Sequence, residues 1–133
     1  MSLTVTPELV AAAEENRMSD EDFLACVRAS LPYAYDLVAG LAERLPAARA
    51  AGRDFVDNLV APPDDAAQGQ LLRAMASSSI RAALECRFGV AIAFQNCHRV
   101  AVFAPEAVGG EQYRAFTSAR AQVLNQQPEL VNC

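Results

Sequence analysis

Cys97 and His98 stand side by side next to the most apolar stretch of the chain, and His98 is its only histidine. Histidine titrates near neutral pH, and cysteine supplies a nucleophile or a metal ligand, so the pair invites an enzymatic, metal or redox reading. Adjacent residues on a strand point to opposite faces, however, so these two side chains meet only in a distorted turn. The plainer expectation is that His98 packs at a core edge and Cys97 is a small turn or core residue, as free cysteines are usually buried and inert. Cys86, Cys97, His98 and Cys133 are ligand types that tetrahedral zinc accepts, yet no two cysteines have the short separation of a zinc module. The tail residue Cys133 reaching Cys97 or Cys86 would give a redox pair on equally thin grounds. The sequence therefore implies no metal and no cofactor, and Cys26, on the apolar stripe of a helix, reads as core.

The second constellation is arginine. All 11 basic residues are arginine, which removes a catalytic lysine, a Schiff base and the lysine of a phosphate-binding loop. Arg73, Arg81, Arg87, Arg99, Arg114 and Arg120 fall in the second half, with Arg87 and Arg99 flanking an apolar hairpin. Guanidinium groups grip carboxylates and phosphates in a bidentate fork, and Ser77-Ser78-Ser79 is placed to cap a helix start, so together they sketch a small-anion site. Cys97, His98, Arg87, Arg99 and Arg81 are accordingly the candidate ligand-binding residues. The competing expectation is local pairing, Arg81 with Glu85 four residues on and the others with acids of the first half. Asp54, Asp57, Asp64 and Asp65 sit where connectors and helix starts place acids anyway. None of the G-x-S-x-G, H-E-x-x-H, G-x-G-x-x-G or Walker patterns occurs.

Charge is unevenly spread. Residues 1–65 hold 12 acids and 5 arginines, a net −7, while residues 66–133 hold 4 acids and 6 arginines, a net +2. A pI near 4.8 and the lack of any basic run argue against duplex nucleic acid as a partner. The longest apolar run, residues 88–94, is far short of the roughly 20 residues a membrane span needs. Residues 1–10 lack the basic-then-apolar pattern of a secretion signal, and the cysteines are irregularly spaced, so a reducing cytoplasm is the expected compartment.

These residues must be positioned by a single domain of 133 residues, 53% apolar, with 27 alanines and no tryptophan, which favours closely packed helices. Thr6, Pro7 and Glu8 mark a helix start, running to about Asn16. Ser19 caps a second helix with Asp22 as a short capping-box partner. Pro32 interrupts it, and Ser30 is placed to cap a third helix over 31–45, closed by Pro46 and followed by a short alanine-rich turn. Asp64 or Asp65 opens a helical stretch to about Arg87 that breaks at the serines, because Ile80 and Leu84 are rotated away from Leu71, Leu72 and Met75. A last helix is expected over 111–126, burying Tyr113, Phe116, Val123 and Leu124. The fold class is thus α+β, five to six helices around one antiparallel hairpin of about 88–94 and 98–104.

In the hairpin, Phe88, Val90, Ile92 and Phe94 alternate with Gly89, Ala91 and Ala93, and His98, Val100 and Val102 alternate with Arg99, Ala101 and Phe103. An odd loop, 95–97, sets Phe94 opposite His98 and Ile92 opposite Val100, keeping the branched residues on one face. Asn96 suits a left-handed conformation within that loop. A lone hairpin is marginal in water, so the sheet needs a short extra strand, from 2–6, 55–60 or 129–132, or a second subunit that extends it edge to edge or packs on its smooth Gly/Ala face. The function expected is that of a small cytoplasmic binding or regulatory protein, a homodimer through the hairpin region, taking a partner protein or a small anionic ligand. The alternative is a small enzyme or metal/redox protein centred on Cys97 and His98 with Arg87 and Arg99.

Overall fold

A computed structural model describes residues 2–95 and 98–125 of the chain. Short polar side chains set most helix starts. The Thr6 hydroxyl accepts the Leu9 N–H at 3.1 Å and Pro7 opens α1 (Pro7–Glu14). Ser19 accepts from the Asp22 N–H at 3.1 Å while the Asp22 carboxylate accepts from the Ser19 N–H at 3.2 Å, a reciprocal capping box that opens α2 (Asp20–Ser30). The Asp64 carboxylate caps α4 (Asp65–Met75) through the Ala67 N–H at 2.8 Å, and the Ser77 hydroxyl caps α5 (Ser78–Phe88) through the Ile80 N–H at 3.3 Å. The helical stretch thus divides at the serines, as its rotated stripe requires.

Two helices differ from expectation. α3 (Pro32–Ala50) has Leu31 as its N-cap, without a side-chain oxygen, because Ser30 instead accepts the Thr4 N–H at 2.9 Å. It also runs through Pro46 rather than stopping there. An internal proline costs roughly 3 kcal/mol in lost hydrogen bonding and crowding. Here Leu41 and Leu45 are buried just before it, Ala47, Ala48 and Ala50 propagate helix well, and packing on the sheet and α4 outweighs the local cost. The helix expected over 111–126 is instead two, α6 (Glu111–Phe116) and α7 (Ala119–Leu124). Hydroxyls divide them: Thr117 donates to the Tyr113 carbonyl at 2.9 Å, and Ser118 donates to Ala115 at 2.7 Å while accepting the Ala121 N–H at 3.1 Å. Val123, 64% exposed, and Leu124 therefore face solvent instead of a core. With α1 to α7 the described residues hold seven α-helices, more than the five to six expected.

The sheet is antiparallel with three strands, β1 (Phe55–Asp57), β2 (Ala91–Phe94) and β3 (Val100–Phe103), in the order β1-β3-β2. Its third strand comes from the 55–60 candidate. Ile92 lies opposite Val102 and Phe94 opposite Val100. The odd parity of the loop holds, and the branched residues do share a face, but the pairing is shifted by two residues and the loop spans 95–99, closed by the Gln95 N–H on the Arg99 carbonyl at 2.9 Å. Asn58 and Asp57 hold His98 and Arg99 from the β1 side, which draws these two out of the pairing with β2 that was expected of them. The strand also starts later than Phe88. Phe88 ends α5, and Gly89, at φ 65°, turns the chain out of the helix. Asn96 lies outside the described residues.

One face of the sheet carries Ile92, Val100 and Val102 into the main core with Val27, Leu31, Val38, Leu41, Leu71, Ile80 and Leu84. The other carries Ala93, Ala101 and Phe103. It is covered from within the chain: Phe55 stacks on Phe103 at 4.8 Å between ring centroids, and Tyr113 and Phe116 of α6 meet Phe103 edge-on at 5.1 and 5.8 Å. The physical need that pointed to a second subunit at this face is met internally.

Candidate functional site

Arg81, Arg99 and the His98 backbone are drawn into separate structural tasks. Arg99 Nε donates to the Asp57 carboxylate at 3.0 Å, and its Nη2 lies closer still, so the guanidinium neutralises a buried acid. Beside it the buried Asn58 donates to the His98 carbonyl at 2.6 Å and accepts the Val100 N–H at 2.8 Å, which fixes the His98 backbone; His98 itself is partly buried. Arg81 and Glu85 each reach Ile92: Arg81 Nη2 donates to its carbonyl at 2.9 Å, and the Glu85 carboxylate accepts its N–H at 2.8 Å. These are the groups that β2, an edge strand, would otherwise present to a neighbouring chain, so α5 seals that edge. Arg87 is exposed, with its guanidinium 5.5 Å from the Phe88 ring. Cys97 lies outside the described residues, as does Cys133. Cys26 is buried, with Sγ donating to the Thr4 carbonyl at 3.4 Å, and Cys86 is exposed. Among the described residues no group of three or more His, Cys, Asp or Glu is placed to share a metal ion. Burial raises the Tyr33 hydroxyl above its ordinary 10.0, which keeps it neutral and unsuited to base chemistry near pH 7.

Concave surface gathers elsewhere, around α2. A groove of about 460 Å³ between α2 and α5 has Phe23, Leu24, Ala82 and Ala83 as its apolar lining, with Cys86 alongside. Arg87 and Ser79 also line it, but so do Asp20 and Glu21, whose charges oppose an anion there. A second groove, of about 420 Å³, lies between α1 and α2, among Leu9, Ala12, Ala25, Cys26 and Ala29 with Glu8 and Asp22 at its rim. A third, of about 280 Å³, takes in Leu3, Val10, Ala13, Met18 and Phe23 beside Glu14. Phe23 belongs to the first and third, and Leu9 and Cys26 to the second and third, so the three join into one surface wrapped around α2.

Burial and charge mark out the same layer. No residue of α1 is buried, and Cys26 is the first buried residue among those described. Val5, Val10 and Met18 are exposed at 45%, 44% and 40%. Residues 5–22 carry six acids against Arg17 alone, a net −5 that equals the charge of the whole chain. Arg17 is itself taken by Glu15. The layer is therefore apolar in its grooves and acidic at its rims. Leu59 and Val60, at 83% and 78%, are more exposed still, but they lie on a loop beside β1 outside these grooves.

A family model described as NucS shadow ORF matches residues 1–133. The chain belongs to that family. No curated protein and no solved structure matches it. For the NucS shadow ORF chain the surface around α2 is thus read from its own residues. The sequence carries one signal for it, the acidity of the first half; that α1 keeps its apolar residues outside the core is a tertiary fact that periodicity does not contain. No helix among the described residues is long and apolar enough to cross a membrane.

Proposed function

We propose that this chain is a small cytoplasmic binding or regulatory protein whose α1–α2 layer receives a basic, apolar-anchored helix of a partner protein. One observation carries the reading: a net charge of −5, equal to that of the whole chain, is concentrated in residues 5–22, the stretch that also leaves Val5, Val10 and Met18 in solvent. Apolar grooves rimmed by acids favour a helix that presents leucine-type anchors at three-and-four spacing with arginine or lysine on its flanks. A second copy is a poor occupant, because it brings the same acids to the same place. Self-association through the hairpin region is left without its physical motive, since β1 completes the sheet and α6 covers its second face. The family is described only as NucS shadow ORF, so the class of partner is taken from the surface alone.

The test uses two synthetic amphipathic helices of about five turns, one of leucine and arginine and one of leucine and glutamate, titrated into the full chain by calorimetry. The leucine–arginine helix is expected to bind, to weaken as salt screens the rim, and to lose about tenfold or more in affinity with Phe23→Ala, an anchor loss of about 1.4 kcal/mol or more. Circular dichroism of the Phe23→Ala protein checks that it remains folded, because Phe23 also touches the core. Absence of binding, or equal binding of the two helices, rejects the reading.

A further inference from the structure

Resting on that reading, we infer that α1 is a placeholder: the partner helix takes its position on α2, facing the acids Asp20, Glu21 and Asp22 of its first turn, instead of docking on top of α1. α1 fills its seat badly. It turns Leu9 and the small residues Ala12 and Ala13 toward the grooves, open to solvent and of about 420 and 280 Å³, that run where it meets α2. None of its residues is buried. A helix with branched side chains in place of those alanines fills the same space with more apolar contact.

Charge acts in the same direction. Glu8 of α1 and Asp22 of α2 line the same groove. A basic helix in the place of α1 would bring an opposite charge to Asp22 in that groove. Among the described residues few polar ties hold the segment: the Thr4 N–H on Ser30 at 2.9 Å and the Cys26 thiol on the Thr4 carbonyl at 3.4 Å, both ahead of α1 itself. The chain leaves α1 through Asn16 at φ 56°, the left-handed residue of that helix's own C-terminal cap, where the Arg17 N–H reaches back to the Ala12 carbonyl at 2.7 Å.

The experiment is hydrogen exchange read by mass spectrometry on the full chain, free and with the leucine–arginine helix. On binding, the amides of residues 9–14 are expected to exchange faster while those of α2 slow down. Ala12→Leu, which enlarges the α1 side of the larger groove, is expected to protect α1 in the free protein and to weaken the helix about fivefold to tenfold. Ala13→Leu, on the other groove, repeats the measurement independently. Slower exchange in α1 on binding, or affinity unchanged or improved by the two leucine variants, overturns the placeholder and leaves the binding reading standing. Failure of the unsubstituted chain to bind the helix overturns both.

Discussion

Asn58 closes one end of the sheet with a single buried side chain. It is 4% exposed, and its amide serves two backbone groups, the His98 carbonyl and the Val100 N–H. Backbone groups shut away from water must be paired, and removing the partner costs more than the hydrogen bond ever contributed. Asn58→Ala strands both groups, so a loss of about 2–4 kcal/mol is expected in urea unfolding, larger than for an exposed substitution. A loss below about 0.5 kcal/mol would mean that water enters and replaces the amide. The neighbouring Asp57 and Arg99 follow the same logic for charge: the acid is tolerated in a buried position because the guanidinium meets it. Arg99 belongs to this end of the sheet for a structural reason. In the sequence, where only its place flanking the hairpin is visible, the same residue resembles part of a ligand site.

At the scale of elements, the junction of α5 and β2 is the instructive case. Gly89 follows the last helical residue at φ 65°, and the Glu85 carbonyl accepts from both the Gly89 and Val90 N–H groups at 2.9 and 3.2 Å. No atom lies within 4 Å of where a Cβ would stand, so Gly89→Ala meets only the backbone penalty of the left-handed region. A loss of about 1–2 kcal/mol is expected, read as a fall in the unfolding midpoint with an unchanged urea slope. A neutral result would show that the helix ends differently in solution. In the sequence the alternation of Phe88, Val90, Ile92 and Phe94 runs straight through this glycine, and a period of two cannot tell a helix-ending glycine from one in a strand. The helix starts at Thr6, Ser19 and Ser77 are legible because the cap is local chemistry. The parity of the hairpin is legible because one face has to be branched. The two-residue shift, the passage of α3 through Pro46 and the edge-sealing role of Arg81 and Glu85 depend on partners distant in sequence, which spacing does not encode. The α1–α2 surface is half legible, in the acidity of residues 5–22 but not in the exposure of α1.

For the whole molecule, composition is a weak guide, since alanine and arginine in place of lysine also follow from a GC-rich coding sequence. Agreement between levels weighs more. Caps stand where most helices begin, the hairpin parity matches the buried face, buried Asp57 and Asn58 are paired, and the open edge of β2 is sealed by α5. A chain in which local choices and global packing agree has a funnelled landscape with one native basin. The full chain is therefore expected to unfold in urea as one cooperative transition, with the far-ultraviolet helix signal coinciding with the near-ultraviolet signal of Tyr35, which is buried edge-on to Phe88 at 5.3 Å. α1 is the exception that the fold itself sets apart. Because none of its residues is buried, its amides are expected to exchange through local opening, far below the global free energy, while those around Val27, Leu41 and Leu84 exchange only on global unfolding. Two separated transitions would refute the single native basin, whereas α1 amides as protected as the core would show that the N-terminal layer is an integral part of the domain, and the case for an exchangeable α1 would fall with it.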